Sequence, residues 1–325
     1  MSGAPLVSVS GLRVRYPERR RWRGTGDRAP AAVEDVSFEI ARGTTLALVG
    51  ESGCGKTTTA RALLRLIEPD SGEVRFDGAD LLALHGEALR RHRRRMQIVF
   101  QDPFTSLNPR LSVGEAIAEG LQAHALADGE AARARVAHVL TEVELSEGDA
   151  ARYPHELSGG QRQRVAIARA LALDPEFLVL DEAVSALDVT TQARVLALFS
   201  RLTAMRGLTV LFIAHNLAVV QQVADWVAVM YRGRIVERAS AERLFSAPRH
   251  PYTQALLSAV PVPDPAVRPH RTVLPDEAVA GPPPAGGCPF FPRCPHPSKD
   301  AACLAGHPPL ADVGAEQHVA CVKGL

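Results

Sequence analysis

One octapeptide, Gly50 to Thr57, restricts the possible folds of this chain more than any other feature of its sequence. It reads Gly-Glu-Ser-Gly-Cys-Gly-Lys-Thr and fits the pattern G-x-x-x-x-G-K-[ST]. The short apolar run Thr45 to Val49 precedes it, and a helical pattern from Lys56 to Ile67 begins at its end, which is the strand-loop-helix context that the motif requires. Glycines there let backbone N–H groups surround phosphate oxygens at a helix N-terminus. The octapeptide therefore predicts a phosphate-binding loop, with an ordinary Gly-rich turn as the alternative.

Residue choice supports a special role for Lys56 in this loop. Only three of the 37 basic residues are lysines, and Lys56 is the only lysine before residue 299. A lysine ammonium is a compact charge on a flexible stem that can reach the β- and γ-phosphates, where an arginine fork is bulkier. We expect Lys56 to contact these phosphates and the Thr57 hydroxyl to ligate Mg²⁺. The other nucleotide-binding residues expected in the loop are Gly50, Ser52, Gly53, Cys54, Gly55 and Thr58.

Charge and apolar patterning exclude several classes of protein. The 37 basic and 36 acidic residues leave a formal net charge of +1, without the basic excess of a general nucleic-acid binder. The sequence has no run of about 18 apolar residues and no apolar signal-peptide core, so we expect a cytosolic location. Two arginine-rich runs, Arg19 to Arg23 and Arg90 to Arg95, are interpreted as a solvated loop and a helix face near the membrane, with binding of nucleic acid or anionic lipid as the alternative.

Proline usage divides the chain near residue 260. Twelve of the 24 prolines fall between Pro261 and Pro297. Upstream, buried-strand patterns such as Leu208 to Ile213 alternate with helical ones, which predicts a mainly parallel sheet covered by helices. Downstream, a loop-rich extension with little apolar content would need a staple to fold. We predict one domain at 1–260, with a helical subdomain at about 103–172, and an extension at 261–325.

Two carboxylates at the end of a buried-strand pattern complement the phosphate loop. The run Phe177 to Leu180 leads directly into Asp181 and Glu182. Asp181 would hold Mg²⁺ through water, and Glu182 would orient and polarise the water that attacks a phosphate. An apolar run followed by two acids is common at strand ends, so the prediction depends on the motifs around it.

A second anion-binding sequence lies upstream of that strand. Its serine and two glycines open an arginine-rich helix, and the N–H groups of a helix N-terminus bind anions. One chain has no evident use for two phosphate-binding sequences facing one nucleotide, unless another chain supplies the second. The residues concerned are Leu157, Ser158, Gly159, Gly160 and Gln161.

With these motifs, about the first 260 residues resemble the ABC-transporter ATPases, whose signature motif is LSGGQ. The resemblance implies the α/β fold of an ABC-type P-loop NTPase: a RecA-like core with a parallel sheet, an antiparallel β subdomain and a helical signature subdomain. Two such chains would close head-to-tail around ATP. Gln101 would be the Q-loop residue and a Mg²⁺ ligand, His215 would contact the γ-phosphate, and Tyr16, in the first strand, would stack on adenine. The implied D-loop is Ser185, Ala186, Leu187 and Asp188.

Three further segments resemble the oligopeptide/dipeptide importer ATPases, a branch that includes nickel importers. These segments are Gln101 to Arg110, Arg249 to Leu257 and Gly287 to Pro295. The resemblance, which leans towards the second of two paired ATPase subunits, implies an ATPase that powers peptide import. Its implied partners are another ATPase subunit, two transmembrane permeases and an extracytoplasmic solute-binding protein, with this chain peripheral at the cytoplasmic membrane face.

Other functions remain open at this level. The same branch imports nickel and other small solutes. A soluble ABC ATPase of DNA repair or translation, and a regulatory module with an inactive phosphate loop, are rival classes. The cysteine-containing tail argues against the first rival, and the intact motifs argue against the second. We expect no nucleic-acid partner.

Four cysteines near the C-terminus form a separate candidate site. Cys288, Cys294, Cys303 and Cys321 have the spacing C-x5-C-x8-C-x17-C. Four thiolates can hold Zn²⁺ or an iron–sulfur cluster, and the sequence does not separate the two. The resemblance implies a 4Fe-4S cluster; zinc, and cysteines that are unligated or in disulfides, are the alternatives.

Overall fold

A computed structural model describes residues 4–16, 31–102, 106–260, 272–276, 279 and 281–324, so the run Arg19 to Arg23 lies outside the described residues. Within them the strands are β1 (Val7–Val14), β2 (Val33–Ile40), β3 (Thr45–Val49), β4 (Ser71–Phe76), β5 (Ala79–Asp80), β6 (Met96–Val99), β7 (Phe177–Asp181), β8 (Thr209–Ala214), β9 (Trp226–Tyr231), β10 (Arg234–Ser240), β11 (Ala311–Asp312) and β12 (Gln317–Val319). The α-helices are α1 (Lys56–Leu63), α2 (Gly86–Arg95), α3 (Val113–Ala123), α4 (Gly129–Glu142), α5 (Gly159–Leu171), α6 (Val189–Arg206), α7 (Leu217–Val223), α8 (Ala241–Ser246) and α9 (Pro251–Ser258). None of these helices is both long and apolar enough to cross a bilayer.

Contacts divide the chain into two units, each built from several stretches. The first unit comprises the chain up to Ser8, Glu39–Thr45 and Val74–Ile213; the second comprises Val9–Phe38, Leu46–Glu73 and the chain from Ala214 onward. The second unit thus contains both the phosphate loop and the C-terminal extension. The boundary near residue 260 stays a prediction.

Parallel strands form the centre of the first unit. β6 pairs with β7 and β7 with β8, in a register that places Val99 opposite Leu180 and Asp181 opposite Ile213. Every residue of β7 and β8 is buried, as expected for parallel strands covered on both faces. Between β6 and β7 the chain forms α3, α4 and α5, where the sequence predicted helices. The predicted parallel α/β arrangement is confirmed.

In the second unit a parallel pair is extended by antiparallel strands. β3 and β9 are parallel, and β9, β10, β12 and β11 continue in that order as antiparallel neighbours. β11 and β12 come from the C-terminal extension, which the sequence predicted only as loop-rich. In the first unit, β4 and β5 pair in antiparallel register.

Two sequence-based element assignments are corrected by the structure. α1 begins at Lys56 as predicted, but it ends at Leu63 rather than Ile67, because Arg65 adopts a left-handed φ of 53°. Tyr16, expected within the first strand, lies two residues beyond the end of β1 at Val14.

A buried carboxylate fixes the C-terminal extension to the second unit. Glu237 on β10 is 0% exposed. It accepts hydrogen bonds from the backbone N–H groups of Arg249 (2.8 Å) and His250 (2.9 Å). The side-chain amide of Gln317 on β12 donates a third bond of 2.6 Å. One side chain therefore holds the start of α9 and a strand of the extension.

We expect Glu237→Ala to lower the free energy of unfolding by about 3 kcal/mol, because it leaves three donors without their acceptor. Urea unfolding of the purified chain, followed by circular dichroism, measures the difference. Glu130→Ala, at an exposed position of α4, is the control and should cost no more than about 0.5 kcal/mol. Equal losses in the two variants would contradict the assigned role.

Candidate functional site

The phosphate loop connects buried β3 to α1 in the second unit. Its first and last glycines have positive φ, 151° at Gly50 and 109° at Gly55. A Cβ at Gly50 would lie 2.2 Å from the carbonyl oxygen of Met230, and one at Gly55 would lie 2.4 Å from that of Ala32. Both positions therefore require glycine for their conformation and for the close approach of neighbouring backbone.

The Lys56 side chain lies within its own loop. Lys56 is 4% exposed, and its Nζ donates to the carbonyl oxygens of Gly50 (2.8 Å) and Glu51 (3.0 Å). Desolvating an ammonium is costly unless it is hydrogen-bonded, and these carbonyls offset that cost. The charge is thus held at the N-terminus of α1, where the exposed backbone N–H groups favour anions.

The remaining loop residues differ in exposure. Ser52 and Gly53 are exposed, whereas Thr57 and Thr58 are half-buried. Cys54 is buried, and burial raises the pKa of its thiol, which keeps it in the unreactive protonated form. Tyr16, 47% exposed, has its hydroxyl 3.2 Å from the Thr58 hydroxyl, so the structure brings this predicted adenine contact to the loop.

In the first unit the two predicted carboxylates occupy different environments. Asp181 closes β7 and is 3% exposed. Glu182 follows with a φ of 47°, a left-handed conformation that costs a non-glycine residue about 1–2 kcal/mol. Its backbone N–H donates to the Ile213 carbonyl at 3.0 Å, which holds the strained conformation. Strain of this kind is concentrated at functional sites, and no sequence pattern had indicated it.

Gln101 lies beside this strained residue. Its side-chain amide donates to a carboxylate oxygen of Glu182 at 3.1 Å. The structure therefore joins two residues that are 81 positions apart and that the sequence assigned to different motifs. The contact limits the orientations of the Glu182 carboxylate.

The LSGGQ sequence forms the start of α5 in the first unit. Ser158 is the N-cap: its hydroxyl accepts a hydrogen bond from the Gln161 backbone N–H at 3.3 Å. In return, the side-chain oxygen of Gln161 accepts a hydrogen bond from the Ser158 backbone N–H at 3.0 Å. This reciprocal pair is a capping box. Leu157 is buried. The cap orders a helix N-terminus, as the anion-binding prediction requires.

The D-loop packs against this helix start. A Cβ built at Gly160 would lie 2.5 Å from the Thr191 methyl, and one at Gly159 would lie 3.7 Å from a methyl of Leu187. Asp188 caps α6 by accepting from the Thr191 N–H at 3.0 Å, and hydrogen bonds from Thr191 hold the pKa of Asp188 below its ordinary value. Ser185 donates its hydroxyl to the Glu182 carbonyl at 2.9 Å, and Ala186 lies between these contacts.

His215 belongs to the second unit and directly follows β8. It is exposed, as a residue that contacts a ligand phosphate must be. The next residue, Asn216, accepts the Ala218 N–H at 3.0 Å and caps α7. Local capping therefore fixes the backbone beside the predicted switch histidine.

The four C-terminal cysteines line one small cavity in the second unit. The side chains of Cys288, Cys294, Cys303 and Cys321 face it together with His296 and Lys299. All four are free thiols. Burial raises the pKa of Cys288 to about 11 and also raises that of Cys294. The four cysteines are thus close together in space, and they form no disulfide with one another.

This arrangement does not by itself constitute a metal site. Among the described residues, no group of three or more His, Cys, Asp or Glu side chains is placed to hold a metal ion. The cavity measures about 20 Å³, room for roughly one water molecule. The described positions of the thiols therefore give no support to the predicted ligation of a 4Fe-4S cluster or zinc.

Comparisons with known proteins agree with the motifs. Residues 33–185 match the family model described as ABC transporter, and residues 236–303 match the model described as oligopeptide/dipeptide transporter, C-terminal region. A Brucella ovis protein named as a peptide import ATP-binding protein is 47% identical over 323 residues, covering 99% of both chains. The oligopeptide transport ATP-binding protein OppF of Bacillus subtilis is 53% identical, over 72% of this chain and 77% of its own length.

A further relative and two solved structures extend the similarity. The glutathione import ATP-binding protein GsiA of Pectobacterium atrosepticum is 50% identical over 83% of this chain, which covers 43% of GsiA. CbiO1 of Clostridium perfringens, part of the transporter complex cbiONQ, superposes with a TM-score of 0.65 at 27% identity, over 75% of this chain and 91% of its own. A dimeric structure of the ATP-binding cassette MJ0796 with ADP and phosphate gives 0.64 at 29% identity, over 72% and 98%.

We expect Gly160→Ala to destabilise the chain by about 1–3 kcal/mol, because the new methyl overlaps the Thr191 methyl. Gly159→Ala is the matched control: its methyl meets only an ordinary contact, and alanine favours the helix by up to about 1 kcal/mol. Thr191→Ser in the Gly160→Ala background removes the overlapping methyl and should restore stability. Urea unfolding compares the variants, and equal stability of the two alanine variants would refute the overlap.

Proposed function

Because the chain belongs to the ATP-binding subunits of ABC transporters, we propose that it hydrolyses ATP to drive the import of peptides. Membership rests on 47% identity over nearly the whole of both chains. Peptide as the cargo is supported by the relatives, which are named for peptides, oligopeptides and glutathione, itself a tripeptide. These names do not favour the nickel alternative or a soluble ATPase of DNA repair or translation.

The observation that carries this proposal is the hydrogen-bonded Lys56 ammonium inside a loop that requires glycine at positions 50 and 55. A fixed cation and the N–H groups of a helix N-terminus match the β- and γ-phosphates of a nucleotide. For Mg²⁺ the proposed ligands are Thr57, Gln101 and Asp181, all of which offer the oxygen donors that Mg²⁺ prefers. Bound Mg²⁺ would neutralise charge on the phosphates.

Hydrolysis requires a base and a defined position for it. We assign the base to Glu182, whose strained backbone and hydrogen bond to Gln101 fix its carboxylate. A carboxylate held in one orientation can accept a proton from an attacking water without first reorganising. His215 is assigned to the γ-phosphate, where an imidazole can donate a hydrogen bond.

The capped LSGGQ helix supports action in pairs. Its ordered N-terminus suits the γ-phosphate of ATP bound to another chain, so two chains would enclose each nucleotide head-to-tail. We propose a second ATPase subunit as the partner, with two permeases and an extracytoplasmic solute-binding protein. The chain would then lie peripherally on the cytoplasmic face of the membrane. Dimeric cassettes among the similar structures support the pairing.

For the cysteines we propose soft-metal ligation, a 4Fe-4S cluster ahead of zinc. Support comes from the four thiols that line one cavity and from the preference of iron–sulfur clusters and zinc for thiolate ligands. Ligation requires the thiols to move from their described positions, since no three are placed around a common centre. No part of the ATPase proposal depends on it.

We expect Glu182→Gln to bind ATP as tightly as the parent chain but to hydrolyse it about 10²- to 10⁴-fold more slowly, because an amide cannot accept the proton. Phosphate release by the assembled transporter at saturating ATP gives the rate, and titration with N-methylanthraniloyl-ATP gives the affinity. Glu130→Gln, an exposed carboxylate of the same unit, is the control. Near-normal turnover would remove Glu182 from the catalytic role.

We expect the anaerobically purified full chain to be brown, with about four iron atoms per chain and sulfide in equal amount. Elemental analysis and an absorption spectrum measure this. Cys303→Ser should reduce the bound metal, whereas Cys54→Ser, at the cysteine outside the cavity, should not. Colourless protein that contains one zinc would reject the cluster in favour of zinc, and metal-free protein would reject both.

A further inference from the structure

Glu51, at a variable position of the phosphate loop, contacts the C-terminal region, meaning here α9 and the extension that follows it. Its backbone N–H donates to the hydroxyl of Tyr252 on α9 at 2.9 Å. Its carbonyl accepts from the Lys56 ammonium at 3.0 Å. Its two carboxylate oxygens accept from Arg293 of the extension at 2.6 and 2.9 Å. Three contacts thus fix the backbone and the side chain of one loop residue.

Several contacts fix the side chain of Arg293. Its side chain is 6% exposed, and it donates through both terminal nitrogens to Glu51. Its Nε donates to the Pro275 carbonyl at 2.7 Å, and its guanidinium lies 5.7 Å from the centre of the Tyr231 ring. A bidentate arginine–carboxylate pair is directional, and a single lysine ammonium cannot reproduce its geometry. The Glu51 carboxylate is therefore tied to one position.

The groups that reach Glu51 rest on a rigid aromatic cluster. Tyr252 is fully buried, with its ring 4.8 Å from that of Tyr231 and 5.4 Å from that of Phe290. Packed aromatic rings of this kind have little freedom to reorient. Phe290 also lines the cysteine cavity, and Arg293 immediately precedes Cys294. The support of the loop therefore extends into the extension itself.

We propose that Arg293 and Tyr252 are positioning residues for the ATP phosphates, so that the C-terminal region sets the affinity of the phosphate loop for ATP. They act through Glu51, whose carbonyl helps to hold the Lys56 ammonium. Binding sites gain affinity when their groups are fixed before the ligand arrives, because less freedom is lost on binding. The inference rests on the proposed ATP-binding function and adds a part of the chain that lies 242 residues from Glu51.

The test compares five variants of the full chain by titration with N-methylanthraniloyl-ATP. Glu51→Gln and Arg293→Gln should each raise Kd about tenfold, within the usual range for coupled sites. The double variant should match either single one, because both remove the same pair. Arg293→Lys should lie between, and Tyr252→Phe, which removes only the hydroxyl, should also raise Kd. In the assembled transporter the loss should fall on KM for ATP rather than on kcat.

The matched control is Asp300→Asn, which breaks the ion pair of Asp300 with Lys323 inside the extension but keeps the Asp300 cap on the Ala302 N–H. It should leave Kd unchanged, although it removes an ion pair from the same region. A drop in stability without any change in Kd for Arg293→Gln would mean a merely structural role.

Each outcome decides a different question. Failure of the parent chain to bind the nucleotide would refute the proposed function itself. Binding by the parent with unchanged Kd in Glu51→Gln and Arg293→Gln, or losses that multiply in the double variant, would overturn this inference alone. Should Arg293→Gln not fold, Glu51→Gln and Tyr252→Phe still decide, since an unchanged Kd in both would reject the positioning role.

Discussion

The buried ammonium group of Lys56 depends on backbone that must approach the phosphate loop very closely. Its carbonyl acceptors, at Gly50 and Glu51, are in place because Gly50 lies against the Met230 carbonyl on β9. β9 pairs in parallel with β3, the strand that leads into the loop. A displacement of β9 would thus move the carbonyl groups of Gly50 and Glu51, which accept hydrogen bonds from the Lys56 ammonium. The second unit is organised around that requirement.

In the first unit, several residues serve stability and chemistry at once. Gln161 completes the capping box that begins α5, so a residue of the signature sequence also forms its structure. Gly160 leaves the space that the Thr191 methyl occupies. Glu182 adopts an unfavourable backbone conformation that neighbouring hydrogen bonds maintain. The identity of such a residue is restricted both by folding and by function, so a substitution there changes both the fold and the site.

The sequence predicted those features that depend on local patterns. Glycine spacing predicted the loop, apolar runs predicted β3, β7 and β8, and Ser158 marked a helix start. The left-handed residue that ends α1 carries no such pattern, since Arg65 looks like an ordinary helix former. The pair of Glu51 and Arg293 joins positions 242 residues apart, and nothing local to either one indicates the other. Cysteine spacing, likewise, predicted proximity but not the directions of the thiols.

The contacts of Tyr252 and Arg293 with Glu51 also have a consequence for the C-terminal region itself. Coupling between two sites is reciprocal, so whatever immobilises the loop also immobilises the residues that hold it. If the tail sets the affinity of the loop, nucleotide occupancy in turn sets how freely Arg293 and the neighbouring Cys294 move. The mobility of the thiols around the cavity would then depend on whether nucleotide is bound at Lys56. The region that matches the C-terminal family model of oligopeptide/dipeptide transporters would then respond to the binding of ATP.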